Sequence, residues 1–456
     1  MQFQAVLSNQ HHPESGVVTV PFPIPRAEYD NTIALLGPLE IGDAVRRDCR
    51  IDEVSGGFPV LKQLERTNVN LDELDYLAKR LDSFDDYEKT EFQGMASRLD
   101  LHGVDEFINL TFCCQEVTVV TDFNNLESLG RRHYLTLGGG ASMEDMQGRD
   151  FRSVALALLD GEVGRVTPYG VVYDNGFEIS QLYDGHSFPQ YRYEDCLMEA
   201  EMSSRYAPPD SPAAYLYLPV SQMQIERTML RVGINNYGDL CLRFLESELP
   251  EEVVAALDFD NESLTDLNEM CRAIQPLNQA EREKLGAVIL FTKPEQTGQI
   301  ANLAKELEQF DYVPKVRTPE EYGKYMIMDS GHYEYDENLA GYIDFAKYGK
   351  ERVENEQGQF NDRGYVSYHG TLSLDELIIG LCLTTFLQAT ILAAGLMVIP
   401  DHCLLGLGLM LAAGEVPRIC GAFGLDTSTR ANIMSAVYTA QAAVNTTRTI
   451  IQATPK

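Results

Sequence analysis

The sequence predicts an α+β protein: tandem small α/β repeat units forming an acidic multidomain body, followed by a hydrophobic helical C-terminal tail. Three observations carry that prediction. A stretch near the start returns about 196 residues later, two strongly periodic helices open on carboxylates, and charge and hydropathy change abruptly near residue 371. The chain sets 69 Asp and Glu against 36 Lys and Arg, a net charge of −33. From Thr371 onward there are five acids and four bases, so residues 1–370 carry −32. A hydrophobic content of 44% is too high for wholesale disorder, and 456 residues leave room for several domains with a sizeable core.

The repetition runs in order. VPFPIPRAEYDNT (20–32) matches YLPVSQMQIERT (217–228), with Pro23 on Pro219 and Thr32 on Thr228, and Ile41-Gly42-Asp43 falls on Tyr237-Gly238-Asp239. NVNLDELDYLAKRL (68–81) then matches NESLTDLNEMCRAI (261–274) at an offset of 193. Ser128-Leu129-Gly130-Arg131 falls on Glu321-Tyr322-Gly323-Lys324 at the same offset. One unit therefore spans 1–135, matching from about residue 17, and a second spans 213–370, matching to about residue 330.

Each unit opens with an alternating strand, Val17–Phe22 or Ala214–Leu218, ended by a proline that cannot donate to a ladder. A helical stretch follows. The central helix shows Leu71, Leu74, Leu77 and Leu81 as one apolar stripe, repeated as Leu264, Leu267, Met270 and Ile274. Asn70 and Ser263 stand at the N-cap positions with Glu73 and Asp266 three residues on, the pattern of a capping box. Opposite the first stripe lie Asp72, Asp75 and Asp82, then Asp85, Asp86, Glu88 and Glu91. Around the second lie Glu246, Glu248, Glu251, Glu252, Asp258, Asp260, Glu262 and Glu269.

Residues 136–212 read as a β-rich inserted segment and linker, with a hairpin signal at Asp174-Asn175-Gly176 and a Pro-rich stretch, YAPPDSPAA, at 206–214. After the second unit's match comes an acidic, tyrosine-rich segment, 329–360. The tail, 371–456, contains an uncharged run from Leu377 to Pro400 that is long enough to span a bilayer. A membrane span, a buried helix, an oligomer seam and a fusion remnant are all open readings of it.

Catalysis and cofactor binding find no motif. GGGAS (138–142) lacks the Lys-Ser/Thr of a phosphate loop and reads as a glycine-rich hairpin turn. Asp258, Asp260, Glu262 and Glu269 take positions 1, 3, 5 and 12 of a calcium loop, but Ser263 replaces its turn glycine, so no metal site is expected. The eight histidines form no zinc pair, Asp184-Gly185-His186 has no nucleophile motif, and Cys113-Cys114 reads as buried thiols in an apolar strand, FINLTFCCQEVTVV. Nine cysteines without a C-x-x-C pair, and a start without a basic or apolar leader, point to a reducing cytoplasm. Arg46-Arg47 and Arg131-Arg132 are isolated among acids, so direct nucleic-acid binding is not expected. The charge points the opposite way, toward proteins that read phosphates. At one charge per 1.7 Å of duplex, 32 charges correspond to roughly 54 Å of DNA.

The residues from 213 to 369 resemble the ArdA antirestriction proteins of conjugative plasmids and transposons. The resemblance rests on a strand ending YLP, the helix ESLTDLNEM, then TPEEYGKYMIMDSG, YIDFAKYGKE and a strand to GYVSYHG. The first unit looks like a further copy of the N-terminal and central parts. The resemblance implies an elongated, dimeric, non-enzymatic mimic of B-form DNA that occupies the DNA-binding groove of type I restriction-modification enzymes and protects incoming mobile DNA. Its phosphate stand-ins would be the carboxylates named above, with Glu320, Glu321, Glu334, Asp336 and Glu337 further along. Tandem units leave the homodimer open, since one chain could supply both halves. The alternative is an acidic scaffold of a conjugative element, tethered to the membrane through 377–400.

Overall fold

The computed structural model describes residues 2–371 except 207, 209, 210, 212 and 258–261, with a few isolated positions beyond. The chain divides into two compact units, Met1–Glu246 and Ser247 onward. Both are α+β; among the described residues the first holds three small sheets and the second one.

The first unit opens with β1 (Phe3–Asn9) and β2 (Val17–Phe22), then α1 (Tyr29–Leu36), β3 (Cys49–Gly56) and the short β4 (Asn68–Val69). They form a sheet in the order β2-β1-β3-β4. Alternation explains the placement: Phe3, Ala5 and Leu7 of β1 are buried beside Val20 and Phe22 of β2. Three helices follow, α2 (Leu71–Asp82), α3 (Asp86–Leu99) and α4 (Val104–Leu110). The expected stripe of α2 is fully buried, and Asn70 and Glu73 close the capping box as expected.

Next come β5 (Thr118–Val120), α5 (Leu126–Gly138), α6 (Met143–Met146), α7 (Phe151–Gly161), β6 (Arg165–Thr167) and β7 (Gly170–Tyr173), with strand order β5-β7-β6. Helices α5 and α7 touch backbone to backbone. A Cβ added at Gly130 would lie 1.7 Å from the carbonyl oxygen of Phe151, so no larger residue fits. The unit ends with β8 (Met198–Ser204), β9 (Ala214–Leu218), α8 (Gln222–Arg231) and β10 (Leu240–Ser247), in the order β10-β8-β9.

The second unit holds α9 (Glu251–Ala256), α10 (Leu264–Ile274), α11 (Gln279–Thr292), α12 (Thr297–Lys305), β11 (Phe310–Pro314), α13 (Pro319–Lys324), α14 (Phe345–Glu356), β12 (Gln359–Phe360) and β13 (Gly364–Tyr368). The apolar stripe of α10 is buried and Ser263 caps it. The sheet runs β11-β13-β12. Val313, Tyr322, Met326 and Tyr365 form one core, in which Tyr322 and Tyr365 both donate to Glu356, at 2.6 and 2.7 Å.

Four local expectations need correction. FINLTFCCQEVTVV is not one strand. Val104, Phe107 and Ile108 follow helical spacing, and Glu106 accepts from the Gly103 N–H at 2.8 Å, so α4 forms and only 118–120 remain extended. GGGAS is no hairpin: Gly139 caps α5 in the left-handed region at φ 61°. The segment from 136 is not simply β-rich, because Phe151, Ala155 and Leu158 recur at helical spacing behind the N-cap Asp150. Asp174-Asn175-Gly176 does turn, with Asn175 and Gly176 at φ 53° and 78° and the Phe177 N–H on the Asp174 carbonyl at 2.8 Å. No strand follows it before Met198, and β7 pairs with β5 and β6 instead. The run 377–400 lies outside the described residues apart from isolated positions. Among the described residues no helix is long and apolar enough to cross a membrane.

Candidate partner-binding surface

The carboxylates expected on solvent faces separate into two sets. The first set is internal. Asp72, at the start of α2, accepts the Tyr29 hydroxyl at 2.5 Å and pairs with the Arg227 guanidinium at 2.8 Å. Asp75 is 4% exposed and accepts the Ile24 N–H at 2.7 Å, with Lys79 at 2.8 Å. Burial pushes its carboxyl up from the ordinary value, against the pull of Lys79. Glu91 is buried against Arg132 at 2.6 Å. Burial still outweighs the guanidinium and lifts this carboxyl to about 7. Glu252 pairs with Arg363 at 2.5 Å. None of these four is a free phosphate stand-in. Their expected exposure is corrected for one reason: each meets a cation or an N–H from a distant part of its unit, and a charge leaves water only when so paired.

The second set faces solvent. Asp82 takes hydrogen bonds from Tyr193, at 2.8 Å, and from Gln2, yet is exposed. Asp85, exposed, and Glu88, half-buried, form the capping box of α3, and Asp86 is fully exposed. Glu246, Glu248 and Glu251 are exposed, while Glu262 and Glu269 are half-buried. Asp258 and Asp260 lie outside the described residues. Glu320 and Glu321 are exposed at the start of α13, where Glu320 meets Lys324 at 2.6 Å and Glu321 caps against Thr318. Glu334, Asp336 and Glu337 are exposed on the segment between α13 and α14.

Sequence reasoning missed a densely bonded polar cluster of the first unit. Arg227 and Arg231 of α8 are only 8% and 7% exposed. Beyond Asp72, Arg227 donates to the Gly42 carbonyl at 2.6 Å and to the Tyr29 hydroxyl at 3.0 Å. Arg231 donates to Asn70 at 2.9 Å, to the Ala44 carbonyl at 3.2 Å and to the Tyr183 hydroxyl at 2.7 Å. Tyr183 in turn donates to Glu73 at 2.8 Å, which also receives Arg47 at 2.7 Å. The only trace in the sequence is a pair of arginines four apart on a helix, which ordinarily reads as a solvated face.

Cys49, Cys113, Cys114, Cys196 and Cys271 are buried, whereas Cys241 is exposed. No group of His, Cys, Asp and Glu among the described residues has the geometry to hold a metal ion.

Residues 213–367 match the family described as antirestriction protein (ArdA), and residues 361–455 match the family described as conjugal transfer protein TrbL. Comparison with curated proteins gave no match.

Proposed function

We propose that the chain is a non-enzymatic antirestriction protein that mimics B-form DNA and blocks the DNA-binding groove of a type I restriction-modification enzyme. The observation that carries this reading is the antirestriction match over 213–367. The net −32 of residues 1–370 supports it, because a field of that size favours a basic, phosphate-reading groove. The stand-ins for phosphate are the solvent-facing carboxylates: Asp82, Asp85 and Asp86 in the first unit, then Glu246, Glu248, Glu251, Glu320, Glu321, Glu334, Asp336 and Glu337. The proposal includes tandem repetition of the family's unit, a homodimer or its single-chain equivalent, and action in the cytoplasm on incoming mobile DNA.

The test is a cleavage assay with a type I enzyme and unmodified DNA. Added protein should protect the DNA, and protection should weaken as salt rises, since both partners of the contact are highly charged. Protection indifferent to salt, or none, overturns mimicry.

A second reading has its own observation, the conjugal transfer match over 361–455, which takes in the uncharged run 377–400. On that reading the acidic body is a scaffold tethered to a membrane of a conjugative element. Fractionation of cells expressing the whole chain distinguishes the two: a tethered scaffold stays in the membrane pellet through an alkaline wash.

A further inference from the structure

Residues 3–173 and 198–368 share most of their elements in the same order, with β4 and α6 found only in the first and α9 only in the second. In the first sheet β1 lies between β2 and β3, and in the later one β8 lies between β9 and β10. Helices α2, α3 and α4 begin at Leu71, Asp86 and Val104; α10, α11 and α12 begin at Leu264, Gln279 and Thr297, each 193 residues on. A strand, a helix pair and two strands follow in both places, with the last strand central in its sheet, β5-β7-β6 and β11-β13-β12. The helix pairs close on the same contact. A Cβ at Gly323 would lie 2.1 Å from the Phe345 carbonyl oxygen, as one at Gly130 would lie 1.7 Å from that of Phe151. The sequence match stops near 135 and 330, but this parallel continues to 173 and 368. The segment read as an insertion from 136 is then the end of the first copy to 173, the connection 174–197 and the start of the second copy from 198.

The copies differ where α8 meets α2. With Thr32 on Thr228, Arg227 and Arg231 fall on Asn31 and Leu35, and Leu35 is 61% exposed on α1. With Leu71 on Leu264, Asp72 falls on Thr265 and Asn70 on Ser263. The docking arginines therefore belong to the second copy alone, and the carboxylate that receives Arg227 belongs to the first alone. The connection adds Tyr183 under Arg231 and Phe188 stacked on Tyr76 at 4.6 Å between ring centres.

We infer that the N-terminal end of α2 in the first copy is a docking face for the N-terminal lobe of a second copy of the same fold, filled in cis by residues 198–246, so that one chain carries both copies and needs no second chain. The inference rests on the tandem part of the proposed function and not on mimicry of DNA. Its one-way chemistry also prevents the first copy's lobe from docking on α10 by the same bonds, which would otherwise link chains into open arrays.

The experiment uses the full chain and hydrogen exchange of the amides in 222–231. Arg227→Met or Asp72→Leu alone leaves a buried charge unpaired and should speed that exchange tenfold or more. The double substitution removes both charges and should recover most of the protection. Arg231→Met gives a second reading of the seam independent of Asp72 and should speed the same amides. Sedimentation of the unaltered chain at micromolar concentration should show a single chain. Unchanged exchange in the single variants, additive losses in the double, or sedimentation as a dimer overturns the inference. Loss of DNA protection alone would count against mimicry and leave the docking intact.

Discussion

Two acidic stretches differ in how many of their carboxylates stay in water. Between 72 and 91 the carboxylates of Asp72, Asp75 and Glu91 turn inward to Arg227, Lys79 and Arg132. Between 320 and 337 all five named carboxylates face water. The difference lies in what reaches each helix start. At α2 an arginine arrives from α8, 155 residues away in sequence, and turns Asp72 into an internal partner. At α13 the nearest cation is Lys324, one turn along the same helix, and the acids stay solvated. An acid thus leaves the surface where a distant cation or N–H reaches it, as Arg227 reaches Asp72 and the Ile24 N–H reaches Asp75.

The largest expected effect that would break this comparison is on the inward set. Removing Arg227 or Asp72 alone, as Arg227→Ala or Asp72→Ala, should cost about 3–5 kcal/mol of local stability. Denaturant titration followed by limited proteolysis of residues 1–246 checks it. A cost below about 1 kcal/mol would place these groups with ordinary surface pairs.

A smaller effect concerns pH. The Glu91 carboxyl is raised from its ordinary 4.5 to about 7 in the fold. A raised carboxyl favours the fold while protonated. That contribution is complete below the unfolded value and is lost as pH rises through about 7. Glu91→Gln should flatten the stability profile over this window by on the order of 2 kcal/mol, as thermal melts across the range would report.

The outward set should separate function from stability. Converting Glu320, Glu321, Glu334, Asp336 and Glu337 to amides together should weaken protection of DNA by about tenfold, while the melting temperature stays within about 1 °C. Gln at 321 keeps the capping box, since an amide serves there as well. The smallest effect belongs to single changes. Asp86→Asn or Glu337→Gln should shift stability by less than about 0.5 kcal/mol and protection by less than about twofold. One exposed carboxylate that abolished protection alone would mark a discrete site rather than a summed field.

Much of the framework was legible from local pattern. The strands at 17–22 and 214–218 and the capped helices at 71 and 264 all follow from spacing and caps. Local pattern was also sufficient, though misread, for α4 and α7, whose apolar residues recur at helical spacing amid strand-forming neighbours. The fate of individual carboxylates was not legible. Asp72 and Asp86 look alike in sequence, and only the tertiary path that brings Arg227 to one of them tells them apart. The seam around Tyr183 was hidden for the same reason, since its partners Glu73 and Arg231 lie 110 and 48 residues away.

The tyrosines bonded to carboxylates give the protein a built-in optical reporter. The chain has no tryptophan and 23 tyrosines, so its near-ultraviolet emission is phenolic throughout. Tyr29 donates to Asp72, Tyr183 to Glu73, and Tyr322 and Tyr365 to Glu356. A carboxylate held against an excited phenol takes up its proton and darkens it, so these four rings are dim while the bonds persist. Emission should brighten as each bond opens. Tyr29 and Tyr183 report on the first unit, and Tyr322 and Tyr365 report on the second.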